Sequence, residues 1–365
     1  MKEKKILVLP GDGIGQEVTQ WGVAVLKKIG QEGGYHFTFD EGLIGHASIL
    51  AHGNALPDET LAKAKASSAI LLGAVGHPSY DMDPSLAVRP EMGLLKIRKE
   101  LGLYANLRPI KLFDELVHAS SIKEEVLRGA DILFFRELTG DVYFGEPRER
   151  RENGTVALDT MIYAKYEVER IAHKAYQAAM NRRKKVTSVD KANVLESSRL
   201  WREVVKEVAL SYPEVETEHI FIDAAAMKLI KAPRDFDVVV TGNLFGDILT
   251  DEASQIAGSM GMLASASVGD KYGLYEPIHG AAHDISGKGV ANPLATILSV
   301  GLMLDISFGL QAEAQAVISA VEQVLKQGYR TRDIAESTTD PAHLLGTDAM
   351  GEQVLKNIHS YAIKS

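Results

Sequence analysis

The chain has 365 residues, of which 45% are hydrophobic and 24% are charged, and this suits an enzyme-sized protein with one large or two medium domains. Its net charge of -9 disfavours nucleic acid or an anionic membrane as the main partner, because both attract basic surfaces. The lack of cysteine excludes disulfides, thiolate nucleophiles and cysteine-ligated metals, and it suits a reducing, cytoplasmic compartment.

Short runs rich in Val, Ile and Leu alternate with longer helical patterns, which is typical of a mostly parallel sheet covered by helices. The predicted strands are Ile6–Leu9, Ile70–Leu72, Ile132–Phe135, Val186–Val189, Ile220–Ile222 and Val238–Val240. The N-terminal apolar run is too short for the core of a signal peptide. The most membrane-like stretch, residues 294–310, contains Asp305 and follows Pro293, so it predicts a buried helix.

A glycine-rich segment, residues 11–16, follows the first predicted strand and precedes a helical pattern. It looks like a dinucleotide-binding fingerprint, but that motif requires its third glycine where Gln16 stands. Asp12 would also repel a pyrophosphate. The segment therefore predicts a tight turn from strand to helix and not a Rossmann phosphate loop.

The alternation of strands and helices breaks between Asp141 and Tyr166. This stretch begins with a polar turn rich in Arg and Glu and continues with an alternating run from Thr155 to Tyr163. An isolated hairpin is only marginally stable in water. We therefore predict an arm, at about residues 141–165, that pairs with another subunit.

Charged side chains stand at the edges of several predicted elements. Arg98, Arg108 and Arg136 each carry a permanent charge on a planar fork that matches a carboxylate, although single arginines of this kind are more often surface or ion-pair residues. Of the three, Arg136 is the best placed to bind a ligand, because it follows a predicted strand and ligands of open α/β sheets bind beyond the carboxyl ends of strands. The same argument favours Lys191 and Asp223, each of which follows a predicted strand.

Asp247 and Asp251 lie four residues apart, just after the strand that contains Val238–Val240. On a helix this spacing places both carboxylates on one face, where their like charges repel each other. A divalent cation between them would remove the repulsion. For this pair alone, an equally good explanation is that acidic residues in the first turn of a helix complement its dipole.

Five motifs, in chain order, carry a resemblance to one enzyme family. They are Leu9–Gly15, Gly140–Gly145, Asp190–Val194, Gly242–Asp247 and Tyr275–Gly280. Together with residues up to 293, they resemble the β-decarboxylating dehydrogenases over nearly the whole chain. Within that family the sequence is most similar to the members that act on 3-isopropylmalate.

The resemblance implies an active site shared by the two subunits of a homodimer. Three groups of residues match the family's site: Arg98, Arg108 and Arg136 for the substrate carboxylates, Asp223, Asp247 and Asp251 for the metal, and Tyr143 and Lys191 for catalysis. Asp223, which is expected to contact the substrate as well, and Lys191 would come from the partner subunit. Mg²⁺ or Mn²⁺ suits such an all-oxygen set of ligands.

The resemblance also implies a pocket for the alkyl group of the substrate. Its residues match Glu91, Leu94, Leu95 and, from the partner subunit, Val194. Leucines cannot hydrogen-bond the third carboxylate of isocitrate, so we expect 3-isopropylmalate and not isocitrate as the substrate. Such a pocket discriminates less well among alkylmalates that differ by one methylene. Without the resemblance, a pair of leucines in a helix is simply part of a core.

Two segments match the cofactor site of the family. Their residues are Gly73, Val75, Gly76, Glu276, His279, Gly280, Ala281, Ala282, Asp284, Ile285 and Asn292. Asp284 can accept hydrogen bonds from ribose hydroxyls and would repel a 2′-phosphate, so we expect NAD in preference to NADP. His283 stands where the family more often carries proline, a departure that bears on the rigidity of this loop.

We therefore expect a two-domain α/β fold of the isopropylmalate/isocitrate dehydrogenase type, with a mixed, mostly parallel sheet. Residues 1–103 and 258–365 would form the cofactor-side domain, and residues 104–257 the metal-binding, substrate-binding and dimerisation domain. The implied activity is the oxidative decarboxylation of 3-isopropylmalate to 4-methyl-2-oxopentanoate and carbon dioxide, a step of leucine biosynthesis. The alternatives are a dehydrogenase for tartrate, homoisocitrate or another 3-alkylmalate, and a non-catalytic protein that binds a metal and a dicarboxylate.

Overall fold

The computed structural model describes residues 3–80, 83 and 86–358. These residues form two compact units. The terminal unit contains the residues up to Gly102 together with those from Gly258 onward, and the central unit contains Leu103–Ala257. The first break lies one residue before the boundary expected from the sequence, and the roles given to the two domains stay predictions.

Twelve strands and twelve α-helices are described, and the bounds of each follow in chain order. The strands are β1 Lys4–Gly11, β2 Phe37–Glu41, β3 Ala69–Ala74, β4 Ala105–Lys111, β5 Asp131–Glu137, β6 Glu149–Arg151, β7 Val156–Leu158, β8 Lys185–Asp190, β9 Glu216–Phe221, β10 Val238–Thr241, β11 Ala264–Val268 and β12 Gly273–Pro277. The helices are α1 Gly15–Gly33, α2 Gly45–His52, α3 Asp58–Ala66, α4 Glu91–Glu100, α5 Glu124–Leu127, α6 Lys165–Met180, α7 Glu196–Ala209, α8 Ile222–Lys231, α9 Asn243–Ala257, α10 Leu294–Ile306, α11 Gln311–Lys326 and α12 Thr347–Asn357. Short 3₁₀ turns lie at Pro78–Tyr80, Asp114–Ala119, Asp141–Tyr143, Glu152–Gly154, Pro233–Asp235, Met260–Met262 and Pro341–His343.

The strands of the terminal unit lie in the order β2-β1-β3-β12-β11. All of these neighbours are parallel except β11 and β12, which pair antiparallel. Every residue of β3 is buried, as expected for a parallel strand that is covered on both faces. Helix α1 ends where Gly34 adopts a φ of 68°, a left-handed conformation that glycine adopts without strain.

The strands of the central unit lie in the order β4-β5-β10-β8-β9. The β4–β5 pair is antiparallel and the other neighbours are parallel. The predicted mixed, mostly parallel α/β architecture is therefore confirmed. The predicted strand at residues 220–222 is wrong at its end, because Ile222 is the first residue of α8.

The apolar stretch predicted as a buried helix is α10, and its residues from Leu294 to Leu304 are almost entirely buried. The helix ends at Ile306, before the predicted end at residue 310. No helix within the described part of the chain is long and apolar enough to cross a membrane.

The predicted arm contains a small antiparallel pair, β6 with β7. Strand β7 is shorter than the predicted alternating run from Thr155 to Tyr163, because only residues 156–158 pair. Tyr163 instead turns toward the rest of the central unit, where its hydroxyl accepts a hydrogen bond from the backbone N–H of Asn243. Most side chains of β6 and β7 are exposed, and their pairing with another subunit stays a prediction.

Candidate active site

The first part of the site is built on strands β5 and β10, which lie side by side in the central unit. Arg136 lies near the end of β5, and only Gly242 separates β10 from α9, so the arginine faces the start of that helix. Its Nη1 donates to Asp247 Oδ1 at 2.5 Å, and its Nε and Nη2 donate to Asn243 Oδ1 at 3.0 and 2.8 Å. A Cβ on Gly246 would lie 2.6 Å from Arg136 Cγ, so only glycine leaves room for the arginine stem.

Arg108 approaches the same helix from β4. The guanidinium is buried, and its Nη1 donates to Thr250 Oγ1 at 2.5 Å and lies 3.5 Å from Asp251 Oδ1. Its Nε donates to Asn106 Oδ1 at 2.7 Å. Two of the three predicted arginines are thus held rigidly beside the aspartate pair.

Tyr143, from a 3₁₀ turn, completes this group. Its hydroxyl donates to Asp247 Oδ2 at 2.7 Å, and the Arg136 guanidinium lies 5.5 Å from its ring centre. Burial, followed by the hydrogen bond to the Asp247 carboxylate, raises the pKa of Tyr143 to about 12. The phenol therefore stays protonated at neutral pH and can act as a proton donor.

Asp247 and Asp251 have different electrostatic environments. Burial alone would raise the pKa of Asp247, but Arg136, the Tyr143 hydroxyl and Arg108 outweigh it and hold that pKa below its ordinary value. Burial raises the pKa of Asp251, Arg108 opposes this rise, and the neighbouring Asp247 charge adds to it. A cation beside Asp251 would favour its ionised form.

The alternative explanation of this pair by the helix dipole is wrong. Asp247 is the fifth residue of α9, and the first turn of that helix contains no acidic residue. The dipole acts within the first turn, so it does not account for either aspartate. Their carboxylates, one exposed by 38% and the other by 60%, are accessible to a ligand.

Lys191 and Asp223 form a separate pair in the central unit. Lys191 follows β8, Asp223 lies in the first turn of α8, and Nζ is 2.5 Å from Oδ1. Hydrogen bonding and the positive charge of Lys191 hold the pKa of Asp223 below its ordinary value. Among the described residues, no three His, Asp or Glu side chains gather where they could hold a metal ion. A single chain therefore does not bring Asp223 to Asp247 and Asp251.

Arg98 and Glu276, predicted to bind the substrate and the cofactor respectively, form a buried ion pair in the terminal unit. Arg98 Nη2 lies 2.5 Å from Glu276 Oε1, and the side chains are only 12% and 10% exposed. The Nε of Arg98 is buried without a hydrogen-bond partner among the described atoms. One donor of this guanidinium is therefore unsatisfied within the described part of the chain.

Three of the residues predicted for the alkyl pocket lie on α4, where Leu94 and Leu95 are half-buried and Glu91 is exposed. The core residues of this helix are Gly93 and Ile97, so the leucine pair is not simply core. Val194, in the central unit, is 60% exposed. These apolar groups are accessible to a ligand.

The segment from Ile278 to Pro293, here called the cofactor loop, is anchored to the start of α1. The N–H of Ile14 donates to the carbonyl of Ala281 at 2.8 Å, and Ile285 and Ala282 pack against Ile14 and its apolar neighbours. The Glu17 carboxylate accepts hydrogen bonds from the N–H groups of Gly287 and Gly289. The turn before α1 and the first turn of that helix therefore support this loop.

Within the cofactor loop, the predicted cofactor ligands differ in their surroundings. Gly280 and Asp284 are exposed, whereas Asn292 is buried and accepts a hydrogen bond from the Leu294 N–H at the start of α10. His279 Nδ1 donates to the carbonyl of Gly280, and its Nε2 is buried without a partner among the described atoms. The loop thus offers an acceptor at His279 and an exposed carboxylate at Asp284.

Asp12, which argued against a Rossmann loop, has a structural role. It is 4% exposed, and its carboxylate accepts hydrogen bonds from the backbone N–H groups of His46, Ala47 and Gly76, each at 2.9 Å. These bonds join the first turn to the start of α2 and to the predicted cofactor residues after β3. The prediction of a tight turn from strand to helix is confirmed, since α1 begins at Gly15.

Three histidines meet beside Gly76. The rings of His46 and His77 stack with centres 4.1 Å apart, and the ring of His283 meets that of His77 edge-on at 4.5 Å. His283 Nε2 lies 2.7 Å from the carbonyl oxygen of Gly76, and a carbonyl can only accept, so Nε2–H donates. A hydrogen bond therefore restrains the loop where the family more often has the ring of proline.

We expect the free energy of unfolding to fall as the pH drops below about 6.5. Burial, then the charges of His46 and His283, lower the pKa of His77, while Asp12 opposes them. At acidic pH the unfolded chain therefore binds more protons than the folded chain. The contribution of His77 to the free energy of unfolding is complete above the ordinary histidine pKa, and it is lost as the pH falls through the lower pKa of His77 in the folded chain. Thermal melts at pH 7.5 and 5.5 should show a smaller loss for His77→Asn than for the unaltered chain. Equal losses in His77→Asn and in the unaltered chain would contradict this explanation. The control is His36→Asn, a change at an exposed histidine.

Similarity to known proteins identifies the family of this chain. The model of the isocitrate/isopropylmalate dehydrogenase family matches residues 5–354. The chain belongs to this family. Relatives named 3-isopropylmalate dehydrogenase include one from Priestia megaterium, 55% identical over 96% of this chain and 95% of its own length, and one from Shouchella clausii, 58% identical over 92% and 93%. The structure of isocitrate dehydrogenase from Methylococcus capsulatus is also similar, with a TM-score of 0.84 and 32% identity over 97% of this chain and 99% of that one.

Sequence reasoning missed several residues of this dehydrogenase that hold the charged groups. Asn243, Thr250 and Asn106 each accept a hydrogen bond from Arg136 or Arg108. Asn243 could have been found, because only Gly242 separates it from β10 and it lies at the edge of the sheet where ligands bind. Asn106 and Thr250 carry no comparable signal, because their role depends on contacts between distant parts of the chain.

Proposed function

We propose that this member of the family catalyses the NAD-dependent oxidative decarboxylation of 3-isopropylmalate to 4-methyl-2-oxopentanoate and carbon dioxide, in the cytoplasm and as a homodimer. The observation that carries the proposal is the 55% identity, over 96% of the chain, to a relative named 3-isopropylmalate dehydrogenase. The hydrogen-bonded group formed by Arg136, Tyr143 and Asp247 supports the proposal. It places together a cation for a substrate carboxylate, a proton donor and an oxygen ligand for a metal.

The residues fit a divalent cation. Asp247 and Asp251 present oxygen atoms on one face of α9, and oxygen ligands are those that Mg²⁺ and Mn²⁺ prefer. The third ligand would be Asp223 of a second copy, since the described residues of one chain gather no third acidic group there. When bound, the cation polarises the C2 oxygen of the substrate and NAD accepts the hydride.

The residues also fit NAD. His279 offers a buried acceptor without a partner, Asp284 is exposed, and the cofactor loop is tied to α1 and to Gly76. The Asp284 carboxylate would accept hydrogen bonds from the adenosine ribose and repel a 2′-phosphate. The remaining proposed contacts are made by Gly73, Val75, Gly76, Glu276, Gly280, Ala281, Ala282, Ile285 and Asn292.

Each charged group then has one task in the reaction. Arg98, Arg108 and Arg136 bind the substrate carboxylates. Lys191, as the uncharged amine, accepts the C2 hydroxyl proton, and its position beside Asp223 keeps the amine within reach of an alcohol held at that carboxylate. Tyr143, which is protonated at neutral pH, donates a proton to C3 after carbon dioxide leaves.

The half-buried leucines of α4 are proposed to contact the isopropyl group. The double change Leu94→Ala and Leu95→Ala should lower kcat/KM for 3-isopropylmalate by about 10- to 200-fold, because the lost apolar contact with the isopropyl group costs about 1–3 kcal/mol in all. The value for malate, which lacks the alkyl group, should change much less. Met92→Ala, at an exposed position of the same helix, is the control. An equal loss for both substrates would show that these leucines only stabilise the helix.

The proposal is tested by following NADH formation with 3-isopropylmalate, isocitrate, tartrate and homoisocitrate, with and without a chelator. We expect turnover to be fastest with 3-isopropylmalate, to stop with the chelator and to return with Mg²⁺ or Mn²⁺. Faster turnover of another acid would assign that acid as the substrate. Tight binding of the diacid and the metal without any turnover would favour a non-catalytic binding protein.

A further inference from the structure

Lys191 and Asp223 are carried by two neighbouring strand ends. Strands β8 and β9 are parallel, and their last residues, Asp190 and Phe221, lie opposite each other. Lys191 directly follows Asp190, and Asp223 lies two residues after Phe221. Any group that fixes both strand ends therefore fixes the relative position of the lysine and the aspartate.

Arg202 touches both strand ends. Its Nε and Nη2 donate to the two carboxylate oxygens of Asp190, each at 2.8 Å, in a bidentate pair. Its guanidinium carbon also lies 4.9 Å from the ring centre of Phe221, within the range of a cation–π contact. One planar group thus links the two segments that carry Lys191 and Asp223.

Further contacts fix the backbone of Lys191. Asp190 is 1% exposed, and its Oδ1 also accepts a hydrogen bond from the N–H of Ala192 at 2.9 Å. The N–H of Lys191 itself donates to Ser198 Oγ at 3.1 Å. Ser198 and Arg202 both lie on α7, whose apolar side is buried against the rest of the unit. The lysine is therefore bracketed by two bonds from a firmly packed helix.

We propose that Arg202 is a positioning residue for the Lys191–Asp223 pair, and this inference rests on the proposed function. Arg202 does not contact the reacting groups. It sets the distance between the proton acceptor and the metal ligand that one subunit contributes. A misplacement of about 1 Å can lower a rate about 10²-fold, so a loss of this link has a large effect on catalysis.

The chain offers a matched control for the effect on stability. Arg182 forms an ion pair with Asp237 at 2.8 Å, and these side chains are 25% and 2% exposed, against 23% and 1% for Arg202 and Asp190. Asp237 precedes β10, so this pair lies at the amino end of the sheet, where no proposed site residue stands. Loss of Arg202 removes the bidentate partner of the buried Asp190, and loss of Arg182 leaves the buried Asp237 with a longer ion pair to Arg183, at 3.7 Å. Only the loss of Arg202 releases Lys191 and Asp223.

The experiment compares Arg202→Met, Arg202→Lys and Arg182→Met in the full-length protein, with 3-isopropylmalate, NAD and Mn²⁺. We expect both methionine variants to melt at lower temperatures. Only Arg202→Met should lower kcat, by about 10- to 100-fold with little change in KM, and weaken Mn²⁺ binding measured by electron paramagnetic resonance. Arg202→Lys, which keeps the charge without the fork, should lie between Arg202→Met and the unaltered chain.

Two results would overturn the inference: an unchanged kcat and Mn²⁺ affinity in Arg202→Met, or equal losses in Arg202→Met and Arg182→Met. Should Arg202→Met fail to fold, kcat and Mn²⁺ affinity are measured for Arg202→Lys and Asp190→Asn instead. Unchanged values in both variants would overturn the inference. If the unaltered chain does not turn over 3-isopropylmalate, the proposed function fails, and the Mn²⁺ comparison still tests the positioning role.

Discussion

Replacement of Lys191 by methionine is expected to lower kcat for 3-isopropylmalate by about 10²- to 10⁴-fold, the usual contribution of a positioned general base. Methionine keeps much of the length and the apolar stem but removes the amine that would accept the C2 hydroxyl proton. It also removes the partner of Asp223, whose Oδ1 lies 2.5 Å from Nζ. The rate of NADH formation at saturating substrate measures the effect.

Lys206→Met is the matched control for this change, because Lys206 is an exposed lysine on α7 of the same unit. Its kcat should equal that of the unaltered chain. A Lys191→Met protein that is folded and retains more than about a tenth of the rate would exclude the lysine as the proton acceptor.

Replacement of Asp247 by asparagine should have an effect at least as large, a loss of about 10³-fold or more in kcat/KM. The amide keeps the shape of the side chain but removes the charge that pairs with Arg136 and would hold the metal. The acceptor for the Tyr143 hydroxyl also becomes weaker, since an amide oxygen carries less charge than a carboxylate. The assay should be accompanied by a Mn²⁺ binding measurement, because the loss is expected in both.

The control for Asp247→Asn is Glu252→Gln, a change in the same helix next to Asp251. Glu252 is no proposed ligand, so Mn²⁺ affinity and rate should change by less than about threefold. Comparable losses in both variants would mean that the total negative charge of α9, and not a specific ligand, governs the metal.

The sequence predicted the sheet architecture because its signals are local. Buried parallel strands are short continuous apolar runs, and β3, β5, β8 and β10 each contain the predicted run. Errors arose at ends, as at Ile222, because an apolar residue next to a strand can equally begin a helix. The arm strand was overextended because alternation continued past residue 158, where pairing stops.

The site was predictable only in part. The spacing of Asp247 and Asp251 predicted that they share one face of a helix. Only the structure shows that they lie in the second and third turns of α9, where the helix dipole does not explain them. The ion pair of Arg98 with Glu276 joins residues 178 positions apart in the sequence, so no local pattern predicts it. The same holds for Asp12, whose three backbone hydrogen bonds come from the start of α2 and from Gly76.

The central claim is that each site combines Asp247 and Asp251 of one subunit with Lys191 and Asp223 of the other, and a mixing experiment tests it most directly. Lys191→Met and Asp247→Asn should each be nearly inactive, but a mixed dimer would contain one complete site. After dissociation and reassembly of equal amounts, activity should return to about a quarter of that of the unaltered protein, since half of the dimers are mixed and one of their two sites is intact. A mixture that reassembles yet stays as inactive as its components would contradict the account.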